Sequence, residues 1–154
     1  EGQWRLPLTL RPPHLATNAG QVSLPGGAVE PGETTAEAAI REFHEELGDD
    51  GRPIDLLGTL SPLYVQVSNY LVVQWVAVAR SRPRFVPNPA EVEEVLEVPL
   101  PHLLDPAQFG SHVRQHEGRV YSAPHFLFQS HRIWGATCMI LGELVTVLEE
   151  MQAD

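Results

Sequence analysis

Six glutamates, Glu30, Glu33, Glu37, Glu42, Glu45 and Glu46, fall within residues 26–48, GGAVEPGETTAEAAIREFHEELG, with a single cation, Arg41, among them. Carboxylates at this density repel one another and raise one another's proton affinity unless positive charge lies between them. On a helix each residue advances by about 100°. Glu42, Glu45 and Glu46 then share one flank, within a sector of about 100°, while Arg41 points to a different flank from which it can pair with Glu33. An all-oxygen anionic flank is a donor set for a hard divalent cation, Mg²⁺ or Mn²⁺, which prefers carboxylate, carbonyl and water ligands and leaves positions for substrate phosphates. The bland alternative is a solvated acidic face.

The elements that must hold this flank are legible around it. Thr34 and Glu37 form a capping-box pair, Gly48 stands where a left-handed cap ends a helix, and Ala36, Ala39, Ile40, Phe43 and Leu47 recur at steps of three and four. The spacing predicts a helix over 35–47 with those apolar residues as its buried stripe. Residues 4–10 read as a strand, RPPHLATNAGQ as a loop, and VSLPGG as a short strand ending in a turn. The apolar runs 54–64 and 70–78 read as strands, RSRPRFVPNPA as a proline-rich loop, and EVLEVPL as a strand stopped by Pro99 and Pro101. HLLDPAQFG reads as a short helix or turn, RVYSAPHFLFQ as a strand, and 133–151 as an amphipathic helix. Strands interleaved with a few helices predict an α/β layered domain, one domain over 1–154 without internal repeats.

Composition removes several functions. A formal charge of −10 argues against a long nucleic-acid partner, whose binding needs clustered cations on phosphate. A small phosphorylated ligand remains compatible, since a bound cation can neutralise it. The longest apolar span, 133–148, is interrupted by Glu143 and is too short for a membrane. One cysteine, Cys138, excludes an internal disulfide framework and suits a reducing cytoplasm; in an apolar helix it reads as inert packing. The sequence starts at Glu1 without methionine, as a fragment would. The histidines are scattered without a zinc-ligand spacing and read as surface or satisfied core residues, and no nucleophile elbow is present.

The order Gly27, five spacers, Glu33, seven spacers, then Arg41-Glu42-Phe43-His44-Glu45-Glu46-Leu47-Gly48 resembles the signature of the Nudix family, hydrolases of nucleoside diphosphates linked to another moiety. Only the final apolar position departs, being Asp49. The resemblance implies a Nudix-type α/β/α sandwich with a central mixed sheet. It implies metal ligation by Glu42, Glu45, Glu46 and the Gly26 carbonyl, and catalytic roles for Glu46, then Glu33 or Glu91, in removing a proton from attacking water. Glu93 and Glu94 compete with Glu91 for the last of these positions.

The segment LTLRPPHLATNAGQVSLPGG resembles the accessory motif of the coenzyme A diphosphatase subgroup: Leu8, Thr9, Arg11, Gly20, Pro25, Gly26 and Gly27 fit in register, whereas Pro7, Pro12, Ala16 and Leu24 do not. NPAEVEEVLEVPLPHLLDP and HRIWGATCMILGELV are similar to that subgroup too, and its members begin with a further strand not seen here. The resemblance implies cleavage of coenzyme A or acyl-coenzyme A to 4′-phosphopantetheine and adenosine 3′,5′-bisphosphate. Arg11 would contact phosphate, and Gly20 and Gln21 would let the loop backbone approach the ligand. Ala16, standing where the motif has arginine, keeps open ADP-ribose, nucleotide sugars or dinucleoside polyphosphates as substrates. A catalytically silent binding module is the third reading, and the full set of carboxylates argues against it. The expected partner is a small nucleotide-derived pyrophosphate, with neither nucleic acid nor membrane, and a homodimer is compatible. Trp134 beside Gly135 reads as a core aromatic opening the last helix, with stacking on an adenine as the alternative.

Overall fold

The computed structural model describes residues 2–16, 19–48 and 51–154. The elements run β1 (Arg5–Leu10), β2 (Val22–Ser23), α1 (Thr35–Leu47), β3 (Ile54–Thr59), β4 (Leu63–Val65), β5 (Tyr70–Val72), β6 (Trp75–Ala79), β7 (Glu94–Pro99), α2 (Leu100–Leu104), a 3-10 turn (Pro106–Gln108), β8 (Phe109–His116), β9 (Arg119–Phe128), β10 (His131–Trp134) and α3 (Gly135–Ala153). They fall into two compact units, Pro7–Leu96 and Glu1–Leu6 with Glu97–Asp154. Hydrogen bonding joins the strands as β2-β1-β7, β10-β9-β8, β3-β6 and β4-β5.

In Pro7–Leu96 the core is Leu8, Val22, Ala38, Leu47, Val92 and Leu96, each large aliphatic contributing about 1.5–3 kcal/mol by burial. Helix α1 starts as its capping box demands: Thr34 Oγ1 accepts the Glu37 N–H at 3.1 Å, and Glu37 Oε2 accepts the Thr34 N–H at 2.9 Å. It ends at Gly48, whose φ of 54° lies in the left-handed region and whose N–H donates to the His44 carbonyl at 2.9 Å. Carbonyls in the last turn of a helix lack partners within it. Here the 86–92 loop supplies them: the Val86 N–H donates to Leu47 and Gly48, and the Asn88 N–H donates to the Glu46 carbonyl at 3.1 Å.

The expected buried stripe is corrected. Leu47 is fully buried, but Ala36, Ala39, Ile40 and Phe43 are half-buried, and Ala38 is the other buried residue of the helix. Ala38 lies three and four residues before Arg41 and Glu42 and so borders the acidic flank. Two strand expectations also change. The 54–64 run breaks between β3 and β4 at Pro62, which has no N–H to give a ladder. The 70–78 run breaks between β5 and β6, where the buried Gln74 donates its Nε2 to the Val72 carbonyl at 3.0 Å and accepts the Leu60 N–H at 3.1 Å at its main-chain carbonyl.

In the other unit, β8, β9 and β10 form an antiparallel sheet, and α3 packs against β9 and β10. Val98, Leu103, Ala123, Phe126, Ile133, Cys138 and Leu141 are buried. Sequence pattern alone misses β8, because its exposed Val113 and its histidines blur the alternation. Ile133 and Trp134 belong to β10, not to the last helix, which begins at Gly135 with φ of 67°. Burial pushes the Cys138 thiol pKa up, as inert packing requires.

At Gly48 a side chain would need both a left-handed backbone and the space of the Val86 carbonyl. Gly48→Ala is expected to destabilise the protein by about 2 kcal/mol or more in urea unfolding; a loss under about 0.5 kcal/mol would show that the cap does not fix this junction.

Candidate active site

The candidate active site lies within Pro7–Leu96, built from α1 and the two loops that close on it. Glu33 and Arg41 form its frame. Arg41 Nε and Nη2 donate to the two oxygens of Glu33 at 2.7 and 2.9 Å, a forked pairing of planar groups. Glu33 also accepts the Glu30 N–H at 3.0 Å, and Arg41 Nη2 donates to the Ala28 carbonyl at 3.0 Å, which ties the 26–33 loop to the helix. Hydrogen bonds from Arg41, then from the Glu30 N–H, hold the Glu33 pKa near 2. Hydrogen bonds to Glu33, then to Glu42, raise the Arg41 pKa.

Arg41 does not keep to a separate flank, as the helical angles predict. Its Nη1 reaches Glu45, four residues on and so its neighbour on the helix surface, at 3.3 Å, and Glu42 at 2.9 Å. Glu42 is 17% exposed and lies against Gly27, where a Cβ would meet the carboxylate and displace it from this position. Glu45 is 53% exposed.

Glu46 is the unusual acid. One of its oxygens accepts the Gly26 N–H at 3.1 Å. Burial is the largest influence and raises its pKa to about 7; Glu42 and Glu91 push the same way, against the Gly26 hydrogen bond and the more distant Arg11. Of the three glutamates around 91–94, it is therefore Glu91 that acts on Glu46, whereas the Glu93 N–H is committed to the Leu10 carbonyl at 2.8 Å.

Glu91 is delivered by a residue that sequence reasoning passed over. The Asn88 carbonyl accepts the N–H groups of Glu91 and Val92 at 3.1 and 2.8 Å, and Asn88 Oδ1 accepts the Ala90 N–H at 3.1 Å. An Asn-Pro step before AEVE is a turn signal of this kind and could have flagged it. On the opposite approach, Arg11 and the 20–21 segment pair through backbone: the Arg11 N–H donates to Gln21 at 2.9 Å and the Gly20 N–H to Arg11 at 3.1 Å. Gly20 has φ of 69°, and no heavy atom lies within 4 Å of where its Cβ would be. Asp49 lies outside the described residues, as do Thr17 and Asn18 of the loop before the box.

The donor chemistry suits a hard divalent cation, for all the side chains are carboxylates and Glu46 carries more negative neighbours than positive ones. Among the described residues no three such side chains converge as a cation needs, and Arg41 is the reason at Glu42 and Glu45, whose oxygens it holds.

The Nudix-domain profile matches residues 2–118, and the chain belongs to the Nudix family. Its α/β fold is that of the family, and Nudix hydrolases generally use divalent metals. The chain is similar to Nudix hydrolase 15, mitochondrial, of Arabidopsis thaliana, at 34% identity over 97% of this chain and 55% of that protein. It is similar to Nudix hydrolase 3 of Caenorhabditis elegans, at 29% over 96% and 68%. It also resembles an uncharacterized Nudix hydrolase, NudL, of Photorhabdus laumondii, at 34% over 89% and 73%. The chain thus spans little more than half the length of the Arabidopsis relative.

A glutamate in an unfolded chain gives up its proton near pH 4.5, whereas folded Glu46 keeps it to about pH 7. Between these values the folded state binds more protons, so the stability that Glu46 contributes falls as pH rises. Glu33 acts oppositely: its contribution is present above pH 4.5 and disappears as pH falls towards 2. In EDTA, wild-type stability relative to Glu46→Gln is expected to decline steadily across pH 4.5–7 in denaturant titrations. A difference that stays level over that range would remove the desolvated carboxyl from the account.

Proposed function

We propose that this chain is a pyrophosphohydrolase that splits coenzyme A or acyl-coenzyme A into 4′-phosphopantetheine and adenosine 3′,5′-bisphosphate, with Mg²⁺ or Mn²⁺ as cofactor. The observation that carries this reading is Glu46, whose pKa burial raises to about 7, with Glu42 and Glu91 adding to that and Arg11 near enough to oppose it. The substrate assignment rests on the Arg11, Gly20, Pro25, Gly26 and Gly27 register described above. The lone buried thiol of Cys138 is in keeping with a reducing compartment such as the cytoplasm. Among the described residues no helix is long and apolar enough to cross a membrane.

In the reaction a water oxygen bonds to one phosphorus while the bond from that phosphorus to the bridging oxygen breaks, and the water's proton passes to a base. A divalent cation held by Glu42, Glu45, Glu46 and the Gly26 carbonyl would supply charge neutralisation for the diphosphate and acidify the attacking water. Glu46 is the first choice of base because Arg41 holds Glu33, Glu42 and Glu45 and leaves the Glu46 carboxylate with the Gly26 N–H. Glu91, whose charge acts on it, is the alternate. Glu33 is the poorest of the three, since two Arg41 hydrogen bonds hold it near pKa 2; its part is to position Arg41 and the loop. Arg11 presents a cation to the substrate phosphates, and the open side of Gly20 lets backbone approach them.

With Mg²⁺ and a panel of coenzyme A, dephospho-coenzyme A, ADP-ribose, a nucleotide sugar and a dinucleoside polyphosphate, coenzyme A is expected to be cleaved fastest, to the two products named. Glu46→Gln is expected to lower kcat by about 10²–10⁴-fold with circular dichroism unchanged, and Arg11→Gln to lower kcat/KM by about tenfold or more. Faster cleavage of ADP-ribose would replace the substrate and keep the chemistry; near-normal turnover in Glu46→Gln would refute the base.

A further inference from the structure

Strands β8, β9 and β10 contain no aspartate or glutamate, in a chain of formal charge −10. Their antiparallel registers set Gly110 opposite His125, His125 opposite Trp134, and Arg114 opposite Tyr121. Directly opposed residues share a face, and neighbours along a strand alternate. His112 and Arg114 of β8, His125 of β9, and Arg132 and Trp134 of β10 therefore share one face, whereas the buried Phe126 and Ile133 belong to the other.

These side chains meet. The Nδ1 atoms of His112 and His125 are 2.7 Å apart, so one ring donates to the other. The missing side chain at Gly110 gives the His125 ring its place, since a Cβ there would come within 3.3 Å of His125 Nε2. Arg114 Cζ stands 3.6 Å over the centre of the Trp134 ring, a contact that holds the guanidinium there without neutralising it. Among the described residues no carboxylate pairs with Arg114 or Arg132. His112 Nε2 is shielded from solvent and has no hydrogen-bond partner among them. Burial, and then Arg132, hold both histidines below their ordinary pKa. Cations and potential cations are gathered here without an anion.

We propose that this face of the β8–β9–β10 sheet binds the phosphate of a small nucleotide. The Arg114 fork, seated over an indole, suits bidentate pairing with phosphate oxygens, the exposed Arg132 adds a second cation, and the half-exposed Tyr121 offers a ring to a base. The histidine pair lies beneath and senses the bound charge. The chain's charge decides for a small ligand over a polymer: phosphates extending beyond the face meet the field of the remaining acids, while a ligand confined to it is screened within about 8 Å at physiological salt. The hairpin tip is excluded, because Glu117 stands 3.8 Å from His116 Nε2. This site goes beyond the hydrolase reading and does not depend on it.

The test uses the intact chain in EDTA, with adenosine 5′-monophosphate, adenosine and inorganic phosphate as probes, followed by calorimetry and by ¹⁵N spectra of the histidine rings. The nucleotide is expected to shift the ring nitrogens of His112 and His125, and adenosine to leave them unmoved. Arg114→Gln and Arg132→Gln are each expected to weaken nucleotide binding about tenfold or more. Arg132 is exposed, so its variant keeps the test valid if Arg114→Gln fails to fold. Ring signals indifferent to the nucleotide, or unchanged affinity in Arg132→Gln, would overturn the proposal. So would inorganic phosphate binding as tightly as the nucleotide, or a single-stranded oligoribonucleotide binding more tightly at physiological salt.

Discussion

The fork between Arg41 and Glu33 is the contact on which the site's arrangement depends. A helix flank with Glu42, Glu45 and Glu46 in one turn is self-repelling, and the loop opposite it carries Glu30 and Glu33. A single guanidinium resolves most of that. It spends Nε and Nη2 on Glu33, Nη1 on Glu42 and Glu45, and Nη2 again on the Ala28 carbonyl. Lysine has no planar fork with which to hold loop and helix at once. What Arg41 leaves uncompensated is Glu46, and the chemistry assigned to this chain starts from that remainder.

Much of this was legible in the sequence because it is local. The capping box at Thr34 and Glu37, the left-handed Gly48 and the 35–47 helix depend on residues within a few positions of one another, and the helix bounds agree with those expected. The Arg41–Glu33 pair was also legible, from spacing. The Arg41–Glu45 contact is an i,i+4 pair that helical spacing also allows, whereas the reach of Arg41 to Glu42 was not legible, since a side-chain rotamer is chosen by its surroundings. Nor was the burial of Ala38, a tertiary event that helical periodicity does not encode. Pro62 and Gln74 split two apolar runs that read as continuous strands.

Long-range pairing was the least visible. Asn88 lies 42 positions after Glu46 in the chain, yet its turn both completes the C-terminus of α1 and brings Glu91 within electrostatic reach. His112 and His125 are 13 apart and looked scattered; the register of β8 on β9 made them partners. In each case the residue types were unremarkable and the ladder or turn supplied the chemistry. The charge distribution follows the same division: Pro7–Leu96 gathers anionic oxygens on a helix, while the β8–β9–β10 sheet excludes acids from its strands.

The central physical claim is that Glu46 carries a proton near neutrality because its surroundings oppose its charge, and that a dication relieves that opposition. Titrating the ¹³C-labelled carboxyl of Glu46 by NMR, first in EDTA and then with saturating Mg²⁺, measures this directly. A midpoint near pH 7 that drops by more than one unit with Mg²⁺ is the expected result. A midpoint near pH 4.5 that ignores Mg²⁺ would contradict the account.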